Sequence, residues 1–280
     1  MSDTLGSEVA PGVRMPRLGL GTWDIGVRAG SRGAEVAALR LGLDLGMHLI
    51  DTAEMYGDGG AEEVVGEAIA GRRDAVFLVT KVLPQHASRT GTIAACERSL
   101  RRLRTDRIDL YLLHWEGEHP LQETLAAFVE LRGQGKIRAY GVSNFDVDLC
   151  AALRRLPGGE GVIADQVYYS PTRRGIEWDL LPWCRDHAVA VMAYSPLDQG
   201  RLALGGALAR VARRHGATPA QVALAWTIRL PGVAAIPKAA RPEHVRDNAG
   251  ALRLRLTPED LAEIDREFPP PAGKLPLAVV

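Results

Sequence analysis

The chain reads His48-Leu-Ile-Asp51-Thr-Ala-Glu-Met-Tyr56-Gly57 where a short apolar run ends in an aspartate and a tyrosine follows five residues later. Two similar runs come next, at 76–80 before Lys81 and at 108–113 before His114. Each run is typical of a buried strand, and a polar residue at its end contributes nothing to a hydrophobic core. An α/β barrel carries its functional residues at the carboxyl ends of its strands. The pattern therefore predicts such a barrel, with a site at these strand ends.

The strand ends would bring together a carboxylate, a phenol, an ammonium group and an imidazole, namely Asp51, Tyr56, Lys81 and His114. This set indicates proton transfer, with the phenol as acid and the lysine lowering its pKa.

Lysine is also rare in this chain: of 34 lysines and arginines only four are lysines, at positions 81, 136, 238 and 274. Lys81 and Lys238 directly follow strand-like runs. Because lysine can change its protonation and arginine does not, this placement favours chemistry, with chance and base composition as the alternative explanation.

The composition limits the class of protein. With 280 residues, 46% of them hydrophobic, the chain is long enough for one barrel or two small domains. Its formal net charge of zero argues against a nucleic-acid or membrane-surface binder that works through bulk charge. No apolar run is long enough to cross a bilayer, and residues 1–8 lack the basic and apolar regions of a signal peptide. We therefore expect a cytoplasmic monomer with one domain, residues 1–280, and no nucleic-acid or membrane partner.

The cysteines and histidines do not indicate a disulfide framework or a metal site. Cys96, Cys150 and Cys184 are odd in number and widely spaced, which fits reduced thiols packed as small apolar groups. The segment from His114 to His119 contains potential metal ligands, but its spacing is not that of a helical zinc pair. We interpret His119 and the neighbouring glutamates as a solvated loop, and we expect no metal.

Strand-like and helix-like segments alternate along the whole chain. Pro11-Gly12 predicts an N-terminal β-hairpin, and 17–21 reads as the first barrel strand. Later strands are expected to end near positions 51, 81, 114, 142, 168, 194 and 236. Threonine followed by proline at 218–219 and at 257–258 is typical of helix starts, and the second pair opens an extra C-terminal helix. About eight strand–helix units without a break in composition predict one (β/α)8 TIM barrel, with a doubly wound sheet as the alternative.

A glycine-rich segment near the N-terminus resembles a dinucleotide-binding loop only in part. Gly19-Leu-Gly21-Thr-Trp-Asp24 begins like the fingerprint, but Asp24 stands at the third glycine position and no helix follows at once. It is therefore not a Rossmann loop. The chain also lacks a P-loop.

A series of motifs follows these strand ends in a fixed order: Gly21-Thr22-Trp23, Asp51-Thr-Ala with Tyr56-Gly57, Lys81, His114-Trp115, Gly141-Val-Ser143-Asn144, Gln166, Tyr194-Ser-Pro-Leu197 and Ile236-Pro237-Lys238. In this order they resemble the aldo-keto reductase family over nearly the whole chain. The resemblance is greatest to the bacterial branch that reduces small aldehydes such as methylglyoxal. It implies a (β/α)8 barrel that binds NADPH, or NADH in some members, without a Rossmann fold.

The resemblance implies roles for the catalytic residues. Tyr56 would give a proton to the carbonyl oxygen of the substrate as a hydride reaches the carbon. Lys81, held by Asp51, would lower the pKa of the phenol from its free value of about 10. His114 would orient the carbonyl group. The substrate pocket would be lined by Trp23, Tyr56, His114 and Trp115.

The resemblance also implies where the cofactor binds. Ser143, Asn144 and Gln166 would hydrogen-bond the nicotinamide carboxamide, and Tyr194 would stack on the ring. The loop 195–200 would contact the pyrophosphate. The implied cofactor residues are Gly21, Thr22, Trp23, Asp51, Ser143, Asn144, Gln166, Tyr194, Ser195, Pro196, Leu197, Gln199, Gly200, Ile236, Pro237, Lys238, Ala239, His244 and Asn248.

The phosphate end departs from the family pattern. After the lysine the family often has a serine or threonine, and an arginine six residues past it. Here Ala239 and His244 occupy these positions, with Arg241 and Arg246 nearby. Free histidine is mostly neutral above about pH 6.5. We therefore expect a modest preference for NADPH that grows as the pH falls, with NADH as a possible second cofactor.

The expected substrate is a small, uncharged or dicarbonyl compound. The loop 115–120 and the tail after Phe268 are short, which predicts an open pocket. Glu116 and Glu118 would give it an acidic rim, and a rim of one charge disfavours substrates of the same charge. The choice among such substrates depends on the loops around the pocket.

Two alternatives to a carbonyl reductase remain. A regulatory barrel that binds the nucleotide without catalysis would need no acid such as Tyr56. A Schiff-base aldolase that uses Lys81 would leave Trp23, the Ser143–Asn144 pair and Tyr194 without a shared role. Taken singly, Asp51 is also explained as a helix cap and His114 as a core histidine.

Overall fold

The hairpin at the start of the chain closes one end of the molecule. The computed structural model describes residues 6–203 and 205–280, so residues 1–5 of the N-terminal segment interpreted above lie outside the described residues. Strand β1 (Ser7–Ala10) pairs antiparallel with β2 (Val13–Met15) across the predicted turn. Gly12 in that turn has φ = 72°, a left-handed conformation that favours glycine. The predicted hairpin is confirmed.

Eight parallel strands follow the hairpin, and each pairs with the next in chain order. The sheet closes because Leu18 bridges to Ala235 and Gly21 bridges to Lys238. This confirms the (β/α)8 barrel and excludes the doubly wound sheet. Every strand ends within one residue of its predicted position. The strands are β3 (Gly19–Gly21), β4 (Leu49–Asp51), β5 (Phe77–Val82), β6 (Ile108–Leu113), β7 (Ile137–Ser143), β8 (Val162–Tyr168), β9 (Ala190–Tyr194) and β10 (Val233–Ala235).

Helices connect the strands on the outside of the barrel. They are α1 (Arg32–Asp44), α2 (Gly60–Ala68), α3 (Arg89–Leu103), α4 (Leu121–Gly133), α5 (Val147–Arg154), α6 (Leu180–Asp186), α7 (Gly206–His215), α8 (Pro219–Thr227), α9 (Pro242–Gly250) and α10 (Pro258–Glu267). Thr218 and Thr257 form capping boxes at the two predicted helix starts, and α10 is the extra C-terminal helix. None of the described helices is long and apolar enough to cross a membrane.

Helix α7 does not appear among the predicted elements. It lies between β9 and α8, and it buries Leu208, Val211 and Ala212 on one face. Arg214 of α7 contacts Asp260 of α10 at 2.6 Å, so the two additional helices pack against each other. The spacing of the buried residues was the available signal for this helix.

The barrel interior and the helix-facing layer form separate hydrophobic clusters. Interior residues include Leu49, Val79, Leu112 and Ala164, whereas their chain neighbours, such as Leu113, pack under the helices. Met15 from the hairpin joins the interior cluster. Side chains alternate along a strand, so residues two positions after these interior residues also point into the barrel, at its carboxyl end.

Candidate active site

The alternation of side chains along each β-strand explains how the strands place the candidate residues. Asp51 lies two residues after interior Leu49, and Lys81 lies two residues after interior Val79. His114 and Gln166 follow interior residues at the same spacing. The sequence therefore orients these four side chains inward at the carboxyl end of the barrel, where they are all buried.

Lys81 is the centre of the site and is fully buried. Its Nζ lies 2.9 and 2.8 Å from the two carboxylate oxygens of Asp51 and 2.9 Å from the carbonyl oxygen of Thr52. The Tyr56 hydroxyl lies 3.3 Å from the same nitrogen. A buried ammonium group is costly unless its N–H groups are paired. The three partners meet that need, and one of them is the candidate acid.

The protonation of Lys81 and Tyr56 follows from burial and from their mutual contact. Burial favours the neutral amine, but Asp51 and Tyr56 outweigh it and raise the pKa of Lys81, so the amine stays charged. Burial also raises the pKa of the Tyr56 phenol, and Lys81 offsets only part of that increase. The expectation that Lys81 brings this pKa below its ordinary value is therefore not met in the structure. Desolvation of the phenol is the physical reason.

Gln166 contacts Asp51 and extends the Lys81 network. Its Nε2 donates to Asp51 Oδ1 at 2.7 Å and to Met192 Sδ at 4.0 Å, so both amide hydrogens have partners and its oxygen can accept from a nicotinamide carboxamide. Burial raises the pKa of Asp51, while Lys81 and Gln166 both lower it. The structure thus gives Gln166 a contact with Asp51 that the sequence did not indicate.

His114 also packs against Tyr56. Its ring centroid is 5.7 Å from that of Tyr56. Burial and the charge of Lys81 lower the pKa of His114 to about 2, so the imidazole is neutral. Its buried Nδ1 has no hydrogen-bond partner among the described residues. A neutral imidazole that is not held by another side chain can offer an N–H group to a carbonyl oxygen.

Two tryptophans border the tyrosine and the histidine. Trp23 packs edge-on against Tyr56, with ring centroids 5.1 Å apart, and Trp115 lies 4.7 Å from His114. Trp23 is 55% exposed although it is large and apolar. An exposed aromatic side chain beside a buried polar group is typical of a ligand pocket.

The residues expected to hold the nicotinamide are bound to one another. Asn144 donates to Ser143 Oγ at 3.1 Å and to the carbonyl oxygen of His114 at 3.3 Å, while its Oδ1 accepts from the Tyr194 hydroxyl at 2.9 Å. Asn144 has φ = 63°, which asparagine tolerates better than most residues. The network therefore orients Tyr194 and connects the expected cofactor site to His114.

Tyr168 and Asp198 complete this side of the site, and the sequence did not single them out. Tyr168 stacks on Tyr194 with ring centroids 5.4 Å apart and an angle of 25°. The Tyr168 hydroxyl donates to Asp198 in the loop 195–200. In that loop Ser195, Asp198 and Gln199 have positive φ values of 47°, 53° and 55°. The contact therefore fixes a loop whose backbone is strained.

The far end of the expected cofactor site carries exposed cations. Lys238 lies 3.8 Å from Asp24, and the Arg241 Nη2 lies 3.0 Å from His244 Nε2. Ala239 is buried against Ala38 and Val245 of the neighbouring helices. Other expected cofactor residues have structural contacts: Thr22 donates its hydroxyl to the carbonyl of Asp51, a Cβ on Gly21 would lie 2.6 Å from the carbonyl of Ile236, and Asn248 is buried.

Comparison with known proteins identifies the family to which this arrangement belongs. The profile described as "Aldo/keto reductase family" matches residues 17–267. The chain belongs to the aldo/keto reductase family. It is 52% identical to "Methylglyoxal reductase YeaE" of Escherichia coli (strain K12) over 273 residues, covering 96% of both chains. It is 35% identical to "Glyoxal reductase" of Bacillus subtilis (strain 168), covering 91% of this chain and 89% of that protein.

Solved structures agree with this family. The chain superposes with a TM-score of 0.93 on an aldo/keto reductase from Klebsiella pneumoniae crystallised with NADP and acetate, at 54% identity and with 95% and 96% of the two chains covered. A thermostable aldo-keto reductase, Tm1743, gives a TM-score of 0.85 at 41% identity, with 90% and 95% covered. As a member of the aldo/keto reductase family, the chain is an oxidoreductase.

The cysteines of this aldo/keto reductase lie outside the site and are buried. Burial raises the pKa of Cys96 to about 12 and raises those of Cys150 and Cys184 further. A protonated, buried thiol is a poor nucleophile. These residues therefore serve the packing of the barrel.

Proposed function

We propose that this aldo/keto reductase uses NADPH to reduce small aldehydes and dicarbonyl compounds such as methylglyoxal to alcohols. The reaction is hydride transfer with Tyr56 as the proton donor. The contact between the Tyr56 hydroxyl and the buried Lys81 ammonium, held by Asp51, carries this proposal. A regulatory barrel has no need to bury a charged lysine beside a phenol, because burial of the charge is costly.

The residues around Tyr56 explain how the proton moves. Tyr56 is protonated at neutral pH, because burial raises its pKa. His114, which is neutral, donates a hydrogen bond to the substrate oxygen and orients the carbonyl. As negative charge develops on that oxygen, Tyr56 Oη releases its proton to it, and the Lys81 ammonium stabilises the phenolate that remains.

NADPH supplies a hydride when it is bound, and the described residues fit it. One face of Tyr194 is covered by Tyr168, and the opposite face can stack on a flat ring. The oxygens of Asn144 and Gln166 retain lone pairs that can accept the N–H groups of a carboxamide. The exposed side chains of Lys238 and Arg241 offer positive charge to a phosphate. The nicotinamide ring of NADH fits the same site beside Tyr194, and NADH has no extra phosphate for Lys238 and Arg241 to bind.

Small substrates are supported by the relatives and by the rim of the pocket. Two relatives named above are a methylglyoxal reductase and a glyoxal reductase. The exposed Trp23 and the ring of Trp115 provide flat apolar walls on either side of the Tyr56–His114 pair.

We also propose that residues 1–280 act as one domain and as a cytoplasmic monomer. Gel filtration of the purified protein tests the oligomeric state, and cell fractionation tests the location.

The decisive experiment is reduction of methylglyoxal by purified protein, followed by the loss of NADPH absorbance. Tyr56→Phe is expected to lower kcat about 10²–10⁴-fold, because the general acid is lost. NADPH binding, measured by fluorescence titration, should stay unchanged. Tyr111→Phe is the matched control, since the Tyr111 hydroxyl is buried and has no hydrogen-bond partner among the described residues.

Each outcome has a separate meaning. Turnover by the wild type and by Tyr111→Phe, with loss in Tyr56→Phe, supports the proposal. Full activity of Tyr56→Phe refutes Tyr56 as the proton donor. Tight NADPH binding without turnover of any aldehyde in a broad panel supports the regulatory barrel.

A further inference from the structure

Glu54 lies inside the Asp51–Tyr56 segment and has no part in the mechanism above. Its side chain is 5% exposed, which is unusual for a carboxylate. Glu54 Oε1 accepts from the backbone N–H of Leu83 at 2.8 Å and contacts His86 Nδ1 at 2.9 Å. Oε2 accepts from Arg98 at 3.4 Å. The buried charge is therefore paired with groups from the segment after β5 and from α3.

The position of these contacts along the chain is specific. Glu54 precedes Tyr56 by two residues, and Leu83 follows Lys81 by two residues. The backbone N–H of Glu54 also donates to the carbonyl oxygen of Lys81, at 3.4 Å. Glu54 thus connects the loop that carries the candidate acid to the strand that carries its lysine, through both its backbone and its side chain.

We propose that Glu54 is a positioning residue that sets the distance between the Tyr56 hydroxyl and the Lys81 ammonium. The inference rests on the proposed role of Tyr56. Without the carboxylate, the N–H of Leu83 loses its partner and the loop 52–56 is held to β5 mainly by backbone hydrogen bonds. A displacement of about 1 Å between reacting groups can lower a rate about 10²-fold. We therefore expect that substitution of Glu54 lowers kcat by a larger factor than it weakens NADPH binding.

The chain offers a matched control for a merely structural role. Glu62 is also fully buried and is paired with Arg102 of α3 at 2.6 Å. Arg98 and Arg102 are four residues apart, one turn along the same helix. Glu62 bonds to the Thr80 hydroxyl at 2.6 Å and not to the loop that carries Tyr56. Loss of Glu62 removes a comparable ion pair without releasing that loop.

The experiment compares Glu54→Ala, Glu54→Gln and Glu62→Gln. For each full-length variant we measure Tm, the Kd for NADPH, kcat with methylglyoxal, and the kinetic isotope effect on kcat with deuterated NADPH. We expect Glu54→Ala to lower kcat about 10- to 100-fold with little change in Kd and with a larger isotope effect, because chemistry becomes slower than product release. Glu54→Gln keeps an acceptor for Leu83 and should recover most of kcat. Glu62→Gln should lower Tm and leave kcat and the isotope effect unchanged.

Two results would overturn the inference. One is an unchanged kcat and isotope effect in Glu54→Ala. The other is a loss of kcat in Glu62→Gln equal to that in Glu54→Ala, which would make both effects structural. Failure of the proposed function can be told apart from failure of this inference. If Tyr56 is not the proton donor, Tyr56→Phe remains active, whatever the Glu54 variants do.

Discussion

Tyr56 and Lys81 are the pair of residues on which the proposed chemistry depends. The lysine favours the phenolate through its charge, but burial and the nearby Asp51 carboxylate favour the protonated phenol. The net increase in the pKa of Tyr56 keeps the phenol protonated at neutral pH. The lysine then acts mainly when the proton leaves, because only the phenolate gains fully from the ammonium charge.

Lys81→Arg tests this division of roles. Arginine keeps the charge, but its planar guanidinium does not fit as a point charge between Asp51, Thr52 and Tyr56. We expect kcat for methylglyoxal to fall about 10²-fold or more. The pKa of Tyr56 should rise further, so the alkaline limb of the pH–rate profile, where reduction is lost as the acid deprotonates, should move to higher pH. Lys136→Arg, at the surface ion pair with Glu97, is the control, and equal profiles in the two variants would make Lys81 a structural cation.

Arg241 and His244 form the contact that is expected to tune cofactor choice. A neutral imidazole at His244 accepts from Arg241. An imidazolium there would release Arg241 and add a positive charge, both of which favour the extra phosphate of NADPH. We expect the ratio of kcat/KM for NADPH to that for NADH to rise roughly 2- to 5-fold between about pH 8 and pH 6, the effect of an exposed ion pair worth about 0.5–1 kcal/mol. His244→Gln should flatten this dependence, and a ratio that is flat in the wild type would refute the role of His244.

Among the structural elements, the C-terminal tail has a contact that the sequence did not indicate. The backbone of Val280 lies close enough to the Tyr194 hydroxyl to lower the pKa of that phenol, although burial raises this pKa overall. Lys274 ties the tail to Asp148 at 3.3 Å and to Asp179 at 3.5 Å. The tail therefore crosses from α10 to the residue that is expected to stack on the nicotinamide.

Deletion of residues 277–280 tests this contact. It removes the contact of Val280 with the Tyr194 hydroxyl and leaves Asn144 as the partner of that hydroxyl. A typical hydrogen bond contributes about 0.5–1.5 kcal/mol, so the Kd for NADPH should rise roughly 2- to 10-fold. Lys274→Ala, which keeps the last residues, should have a smaller effect that fades at high salt. An unchanged Kd in the truncated protein would show that the tail does not support the cofactor site.

At the scale of the whole molecule, charge is balanced overall but uneven at the mouth of the barrel. The formal net charge is zero. Glu116 and Glu118 are exposed immediately after Trp115, which contacts His114. Local negative charge repels anionic substrates over about a Debye length.

We therefore expect kcat/KM for methylglyoxal to exceed that for a carboxylated aldehyde such as succinic semialdehyde at low salt. The difference should narrow at high salt and in the double variant Glu116→Gln with Glu118→Gln. Glu160→Gln is the control, because Glu160 is exposed in the turn before β8, at the opposite end of the barrel. A preference for the carboxylated aldehyde at low salt would contradict the acidic rim.

Local sequence patterns were sufficient to predict the barrel and the inward direction of the Asp51, Lys81 and His114 side chains. Alternation of side chains along a strand and the endings of apolar runs are short-range properties, and they give strand ends within one residue. Helix α7 carries the same kind of signal in its apolar spacing.

The sequence by itself determined the barrel, the family motifs and the residues at the strand ends, because those features depend on neighbours in the chain. Only the tertiary structure decided that Gln166 bonds to Asp51, 115 residues away, that the chain end reaches Tyr194, and that Glu54 joins two strand ends. It also decided that Tyr56 holds its proton, because desolvation depends on everything packed around the phenol. Such contacts between distant segments leave no local spacing from which they can be predicted.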